Sequence, residues 1–99
     1  MNNIKGLTND QLTIIKGIVK NYREIRFYLY GSRVNGNFSR NSDLDVLAEG
    51  KTELSYDLLE EMRLKFDQSN LPFIVHISDY HKLEKDFFNL IKNSMEEVC

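Results

Sequence analysis

The sequence has few of the features that define several large classes of protein. It contains one proline, no tryptophan and a single cysteine, Cys99. One cysteine cannot form an internal disulfide, and no cysteine–histidine spacing is typical of zinc, so a disulfide scaffold and a zinc module are excluded. No apolar run approaches the roughly 18 residues of a membrane span. The first residues also lack the charged-then-apolar order of a signal peptide. We therefore expect a cytoplasmic protein that does not bind membranes.

The sequence also has no excess of positive charge. Thirteen lysines and arginines stand against fifteen aspartates and glutamates, which gives a net charge of −2. Proteins that bind nucleic acid directly usually present a basic surface to the phosphates, so direct nucleic-acid binding and templated polymerisation are not expected. The chain is 41% apolar and 28% charged, which is typical of a folded globular protein. Residues 1–99 are predicted to form a single domain.

Hydrophobic periodicity predicts alternating helices and strands. Thr8 and Gln11 form a capping-box pattern at the start of the first helix, and Asp79 is a candidate cap for the last one. The predicted helices cover residues 9–21, 32–35, 53–69 and 81–93, and the predicted strands cover residues 25–30, 43–48 and 73–78. The last helix has an apolar stripe of Leu83, Phe87, Leu90 and Ile91. This order predicts an α/β (α+β) fold in which helices cover a three-stranded sheet.

The stretch from Tyr30 to Val46, YGSRVNGNFSRNSDLDV, carries the chemistry of the sequence. Gly31-Ser32 follows the first strand directly, and a Gly-Ser turn into a helix offers N–H groups and a hydroxyl to a phosphate. Asp43 and Asp45, the acid pair, begin the second strand two positions apart, so their carboxylates point to one side and can share a hard cation. Each feature alone is ordinary turn chemistry. Together they favour a nucleoside triphosphate site, because two like charges on an apolar strand are costly unless a cation or solvent satisfies them.

Three further side chains complete the predicted site. Arg33 could contact phosphate oxygens, although it could equally be solvated or pair with the acid pair. Ser42, directly before the acid pair, is assigned to nucleotide binding. His76 lies on the third predicted strand, on the face opposite the apolar residues of that strand. If this strand neighbours the second, His76 would project beside the acid pair as a metal ligand or a base; the ordinary alternative is a hydrogen-bonded structural histidine.

The pattern of Gly31-Ser32, ten intervening residues and Asp43-Leu44-Asp45 resembles the signature of the DNA polymerase β-like nucleotidyltransferase superfamily. The whole chain is similar to its smallest members, the minimal nucleotidyltransferases. The resemblance implies a mixed three-stranded sheet with four helices packed mainly on one face. It also implies ATP bound at Gly31, Ser32, Arg33 and Ser42, and a two-metal Mg²⁺ site on the acid pair. The implied reaction transfers a nucleoside monophosphate to an acceptor hydroxyl.

The resemblance further implies a partner. Minimal nucleotidyltransferases typically act as antitoxins of all-helical HEPN-domain toxins, by binding the toxin or by transferring AMP to it. A hetero-oligomer with such a partner, or a homodimer, is the expected assembly. One departure is that His76 stands where the family usually carries a third carboxylate. This departure keeps open a nucleotide-binding module that has lost catalysis and neutralises its partner by binding alone. A small-molecule transferase is disfavoured, because those enzymes carry an additional domain.

Overall fold

The computed structural model describes residues 4–98, and Cys99 lies outside this range. The helices are α1 (Asn9–Val19), α2 (Ser32–Asn35), α3 (Tyr56–Asp67) and α4 (Lys85–Ile91), and the strands are β1 (Arg26–Tyr30), β2 (Leu44–Glu49), β3 (Val75–Asp79) and β4 (Glu96–Glu97). A 3₁₀ turn, Tyr80–Lys82, follows β3. Within the described range no helix combines the length and apolar character that crossing a bilayer requires. The predicted elements agree with these bounds to within a few residues, apart from the last helix and the fourth strand.

The sheet is mixed and has the strand order β3-β2-β1-β4. β1 runs antiparallel to both of its neighbours, whereas β2 and β3 are parallel. The prediction of three strands is wrong, because β4 pairs with the edge of β1. Its two glutamates have no strand pattern of their own. Pairing of Glu97 with Tyr28 and a 3.1 Å ion pair between Glu97 and Arg26 hold β4 in place.

The two faces of the sheet carry clusters of different size. α1 and α3 pack on the face that holds the main core, to which they contribute Leu12, Ile15, Met62 and Phe66. On the opposite face, Ile91 of α4 packs with Tyr30 and Leu47 in a smaller cluster. The prediction of helices mainly on one face therefore describes α1 and α3 but not α4. Since side chains alternate along a strand, Asp45 shares the α4 face with Leu47.

The first helix begins as predicted. The Thr8 hydroxyl accepts a hydrogen bond from the Gln11 N–H at 3.1 Å, and the Gln11 side chain accepts one from the Thr8 N–H at 3.0 Å. These two bonds form the capping box.

The predicted last helix is wrong at its start. Asp79 accepts a hydrogen bond from the His81 N–H at 3.0 Å and one from the Leu54 N–H at 2.7 Å, so it caps the 3₁₀ turn instead of a long helix. α4 begins only at Lys85. Of its predicted stripe, Leu90 is 79% exposed, because α4 covers only the small cluster.

Candidate active site

The turn between β1 and α2 requires glycine. Gly31 has φ +90° and ψ −162°, a region open essentially to glycine alone. A Cβ at this position would also collide with the Asp45 carboxylate, whose Cγ would lie 3.3 Å away. Gly31 is the N-cap of α2, and it makes no side-chain capping bond. No hydrogen bond joins the Ser32 hydroxyl to another residue in the range 4–98, which leaves it available to a ligand. The Gly-Ser turn thus abuts the acid pair.

Asp45 has an environment suited to a bound cation. It is partly buried, and among residues 4–98 it accepts no hydrogen bond. Burial is the main cause that raises the pKa of the Asp45 carboxyl; His76 opposes the rise and Asp43 adds to it. An ionised carboxylate that is half-buried without a hydrogen-bond donor carries an electrostatic cost, which a cation would remove.

His76 lies beside the acid pair, as the strand pattern predicts. β3 is parallel to β2, and His76 is the register partner of Asp45. Its Nε2 lies 2.8 Å from Oδ2 of Asp43, and the two side chains are 57% and 44% exposed. The nearby Asp79 is buried at 4% exposure and accepts two backbone N–H bonds, so it does not replace the missing third acid. The site therefore contains two carboxylates and one imidazole.

The side chains fit a cation that is shared with a ligand. In the described part of the chain, no group of three or more histidine, cysteine, aspartate and glutamate side chains is placed to hold a metal ion alone. Mg²⁺ is usually bound by one or two carboxylates together with substrate phosphates and water, rather than by a protein cage. The acid pair beside the Gly-Ser turn supplies this type of donor set.

Arg33 makes contacts other than those predicted. It is only 5% exposed, and its guanidinium donates to the carbonyls of Ser42 at 2.9 Å, Gly6 at 2.8 Å and Arg40 at 3.1 Å. The guanidinium carbon also lies 4.0 Å from the centroid of the Phe73 ring. Arg33 thus holds the loop before β2 in place, and its phosphate contact stays a prediction.

Ser42 likewise belongs to the loop. Its hydroxyl accepts a hydrogen bond from the Ser39 N–H at 2.8 Å, and its carbonyl accepts the bond from Arg33. Through these two bonds, Ser42 holds in place the backbone that leads into Asp43. Sequence reasoning missed Gly6, whose N–H donates to the Arg33 carbonyl at 3.0 Å. A lone glycine 27 positions away carries no signal for such a contact.

The Asp43 side chain is 44% exposed, whereas Asp45 is partly buried. A cleft of about 230 Å³ is lined by Lys5, Arg40 and Phe73 among others, but it includes neither the Gly-Ser turn nor the acid pair. This cleft therefore does not form part of the acid-pair site.

Comparison with known proteins identifies the family of the chain. Residues 13–99 match the polymerase beta nucleotidyltransferase family. The chain is 26% identical over 87 residues to the probable protein adenylyltransferase MntA of Haemophilus influenzae, and the match covers 87% of this chain and 76% of that protein.

Two solved structures share the fold. A toxin–antitoxin with AMP-PNP superimposes with a TM-score of 0.75 at 20% identity, covering 89% of this chain and 72% of that one. A mutant of the MntA–HpeT toxin–antitoxin, in which two aspartates two positions apart are glutamate, gives a TM-score of 0.74 at 18% identity with the same coverage. The chain belongs to the polymerase β nucleotidyltransferase family, and its resemblance to the minimal nucleotidyltransferases is confirmed.

Proposed function

We propose that the protein transfers AMP from ATP to a hydroxyl of a partner protein, as the cytoplasmic antitoxin of a HEPN-type toxin. The observation that carries the proposal is the contact between the Gly31 turn and the unpartnered Asp45 carboxylate. This close approach supports a triphosphate held at the turn beside a metal ion held by the carboxylates. Further support comes from the family, from the relative named as a probable protein adenylyltransferase, and from the neighbour described as a toxin–antitoxin with AMP-PNP.

Each site residue has a role in this reaction. Gly31 and Ser32 would hold the triphosphate, and Asp43 and Asp45 would hold Mg²⁺. When bound, the ion would supply charge neutralisation at the phosphate oxygens. The acceptor oxygen bonds to the α-phosphorus, and the bond from that phosphorus to the oxygen bridging to the β-phosphate breaks. Pyrophosphate leaves, and the hydroxyl proton passes to solvent or to His76. His76 assists as a metal ligand or as this proton acceptor.

A second candidate function is a module that binds ATP and neutralises its partner without catalysis. One observation favours it: His76 stands where a third carboxylate is expected and forms a hydrogen bond with Asp43. An imidazole there lowers the negative charge of the site, which weakens the binding of Mg²⁺. Nucleotide binding would tolerate this change better than catalysis would.

The test uses ATP labelled at the α-phosphate, Mg²⁺ and the co-purified partner protein. We expect label on the partner with the natural chain, and a loss of at least about a hundredfold in the D43N/D45N double variant, because both metal ligands are removed. The matched control is D57N/D67N, which removes the same charge from exposed positions of α3. Label that appears only with H76D would establish the binding module instead. Equal label with D43N/D45N would overturn the proposed site.

A further inference from the structure

We propose that the cleft lined by Lys5, Arg33 and Arg40, the basic cleft, is a docking site for an acidic segment of the partner protein. An aspartate or glutamate carboxylate of the partner is the group that would enter it. The inference rests on the proposed function, because it concerns the protein that carries the acceptor hydroxyl. It assigns that protein a second contact, separate from the acid pair.

The basic cleft concentrates positive charge in a chain whose net charge is −2. Lys5 comes from the segment before α1, Arg40 comes from the loop before β2, and Arg33 comes from α2. None of the residues that line the cleft is acidic. Lys5 and Arg40 are exposed, and within residues 4–98 neither side chain forms an ion pair or a hydrogen bond. The cleft therefore offers two available cations to an anionic ligand.

Arg33 adds a buried cation that has no counter-ion in the described part of the chain. Its guanidinium donates to three carbonyl oxygens and forms no ion pair with a carboxylate there. Burial lowers the pKa of Arg33, and the charge of Asp43 opposes this shift only in part. A buried charge without a counter-ion carries an electrostatic cost. An anion in the basic cleft would reduce that cost.

The size and lining of the basic cleft favour a protein side chain over a small molecule. Its volume of about 230 Å³ is below the roughly 300–1,000 Å³ of sites that enclose a small ligand. A nucleobase needs an open aromatic face, but the Arg33 guanidinium lies 4.0 Å from the centroid of the Phe73 ring and 5.9 Å from that of Phe38. Leu7 and Pro72 add apolar surface beside the cations. These surroundings suit a carboxylate whose neighbours in the partner are apolar.

The basic cleft lies close to the acid pair without including it. Arg40 stands three positions before Asp43, so their Cα atoms are at most about 11 Å apart. The carbonyls of Arg40 and Ser42 both accept hydrogen bonds from Arg33, which orders this connection. A partner segment anchored in the cleft would therefore be held near the acid pair, where the proposed reaction needs the acceptor hydroxyl.

The first experiment is an NMR titration of the ¹⁵N-labelled chain, without nucleotide, with a capped peptide in which two glutamates flank a leucine. We expect the amide resonances of Gly6, Leu7 and Phe38 to shift, and K5Q/R40Q to raise the dissociation constant about tenfold, because two charged contacts at a partly exposed site are lost. The same peptide with glutamine in place of glutamate should cause no shift. These variants leave the guanidinium of Arg33 and its structural bonds in place.

The matched control is R23Q/K85Q. It removes the same charge at two exposed positions that lie outside the cleft and form no ion pair within residues 4–98. We expect its dissociation constant for the peptide to equal that of the natural chain. The amides of Ser32 and Asp45 report on the acid pair and should stay unshifted by the peptide.

The second experiment applies the variants to the labelling reaction with the co-purified partner protein. We expect K5Q/R40Q to raise the KM for the partner about tenfold and to leave the KM for ATP unchanged, because the cleft contacts the partner alone. If even the natural chain transfers no label, the proposed reaction fails, while the peptide titration still decides the role of the cleft.

Four results would overturn the inference. Two are an equal dissociation constant for the natural chain and K5Q/R40Q, and equal binding of the glutamate and glutamine peptides. A third is pyrophosphate that shifts the cleft amides at lower concentration than the peptide, which would assign the cleft to a phosphate group. The fourth is a dimer of the natural chain that K5Q/R40Q converts to a monomer, which would assign the cleft to a second copy.

Discussion

At the scale of single residues, the site depends on the absence of a side chain at Gly31. Gly31 and Asp45 are far apart in the sequence and touch in the structure. Glycine can be required at a position for two reasons, a positive φ or a neighbour too close for a Cβ, and two other glycines allow these reasons to be compared. Gly36 has a positive φ of +96° but open space around it, whereas Gly17, within α1, has neither a positive φ nor a neighbour within 4 Å. Backbone conformation and close approach can therefore be tested separately.

Alanine substitutions at these glycines should have graded effects on the free energy of unfolding. G17A should stabilise the chain by about 0.5–1 kcal/mol, because alanine favours helix. G36A should cost about 1–2 kcal/mol from left-handed backbone strain. G31A should cost about 2–3 kcal/mol and also abolish nucleotide binding, because the new methyl displaces the Asp45 carboxylate. Urea denaturation and nucleotide titration measure these effects. Equal losses in G31A and G36A would show that contact with Asp45 adds nothing.

At the scale of elements, the loop between α2 and β2 is ordered by Arg33 rather than by its own sequence. Residues 37–42 have the composition of a loop, and that composition specifies no particular conformation. The buried guanidinium connects three separate carbonyls, one of which belongs to Gly6 in the segment before α1. The planar fork of arginine suits this role, because it can donate in several fixed directions at once.

R33K should destabilise the protein by about 2–4 kcal/mol, because lysine cannot reach all three carbonyls and loses the planar stacking on Phe73. R40K is the control; the Arg40 side chain is exposed, only its carbonyl joins the network, and the expected change is within about 0.5 kcal/mol. Thermal unfolding measures both variants. An R33K protein that is as stable as the natural chain but fails to bind nucleotide would support the predicted phosphate contact.

At the scale of the whole molecule, the acid pair places negative charge where it lowers the stability of the folded chain. Asp45 is held partly buried beside Asp43, and no described donor reaches its carboxylate. Functional sites commonly reduce stability in this way, because groups arranged for a ligand are unsatisfied without it. The stability of the protein and the occupation of its site are therefore linked.

D45N should raise the stability of the ligand-free protein near neutral pH. The pKa of Asp45 in the folded chain is raised above its ordinary value of 3.8, so folding favours the protonated carboxyl. The resulting contribution to stability is fully present below pH 3.8, and it is lost as pH rises through the folded-state pKa. The natural chain thus carries a penalty at pH 7 that asparagine removes. Because solvent screens the carboxylate, we expect about 0.5 kcal/mol, or roughly 2–4 °C in Tm.

The stability of D45N at acid pH serves as the control for this prediction. Below pH 3.8 the advantage of D45N should vanish, since Asp45 is then protonated in both the folded and the unfolded chain. Melting curves at a series of pH values measure the difference. If D45N were more stable than the natural chain by the same amount at every pH, the charge of Asp45 would not be the cause of the difference.

The sequence by itself determined the elements whose signals are local. These are the capping box at Thr8, the apolar strand that ends at Tyr30, the short helix over residues 32–35 and the spacing of the acid pair. All of them depend on neighbours in the chain, and the structure has them where they are predicted. The candidate site was predicted from the same local signals, because the two aspartates lie two positions apart at the start of β2.

Only the tertiary structure decided the features that depend on distant partners. β4 forms because its backbone pairs with the edge of β1. Asp79 ends β3 in a 3₁₀ turn because its carboxylate also accepts a hydrogen bond from the Leu54 N–H. Arg33 is structural because the carbonyl of Gly6 reaches it from another segment. Likewise, His76 meets Asp43 because β3 pairs in parallel with β2. Strand pairing and burial act between segments far apart in the chain, so no local pattern encodes them.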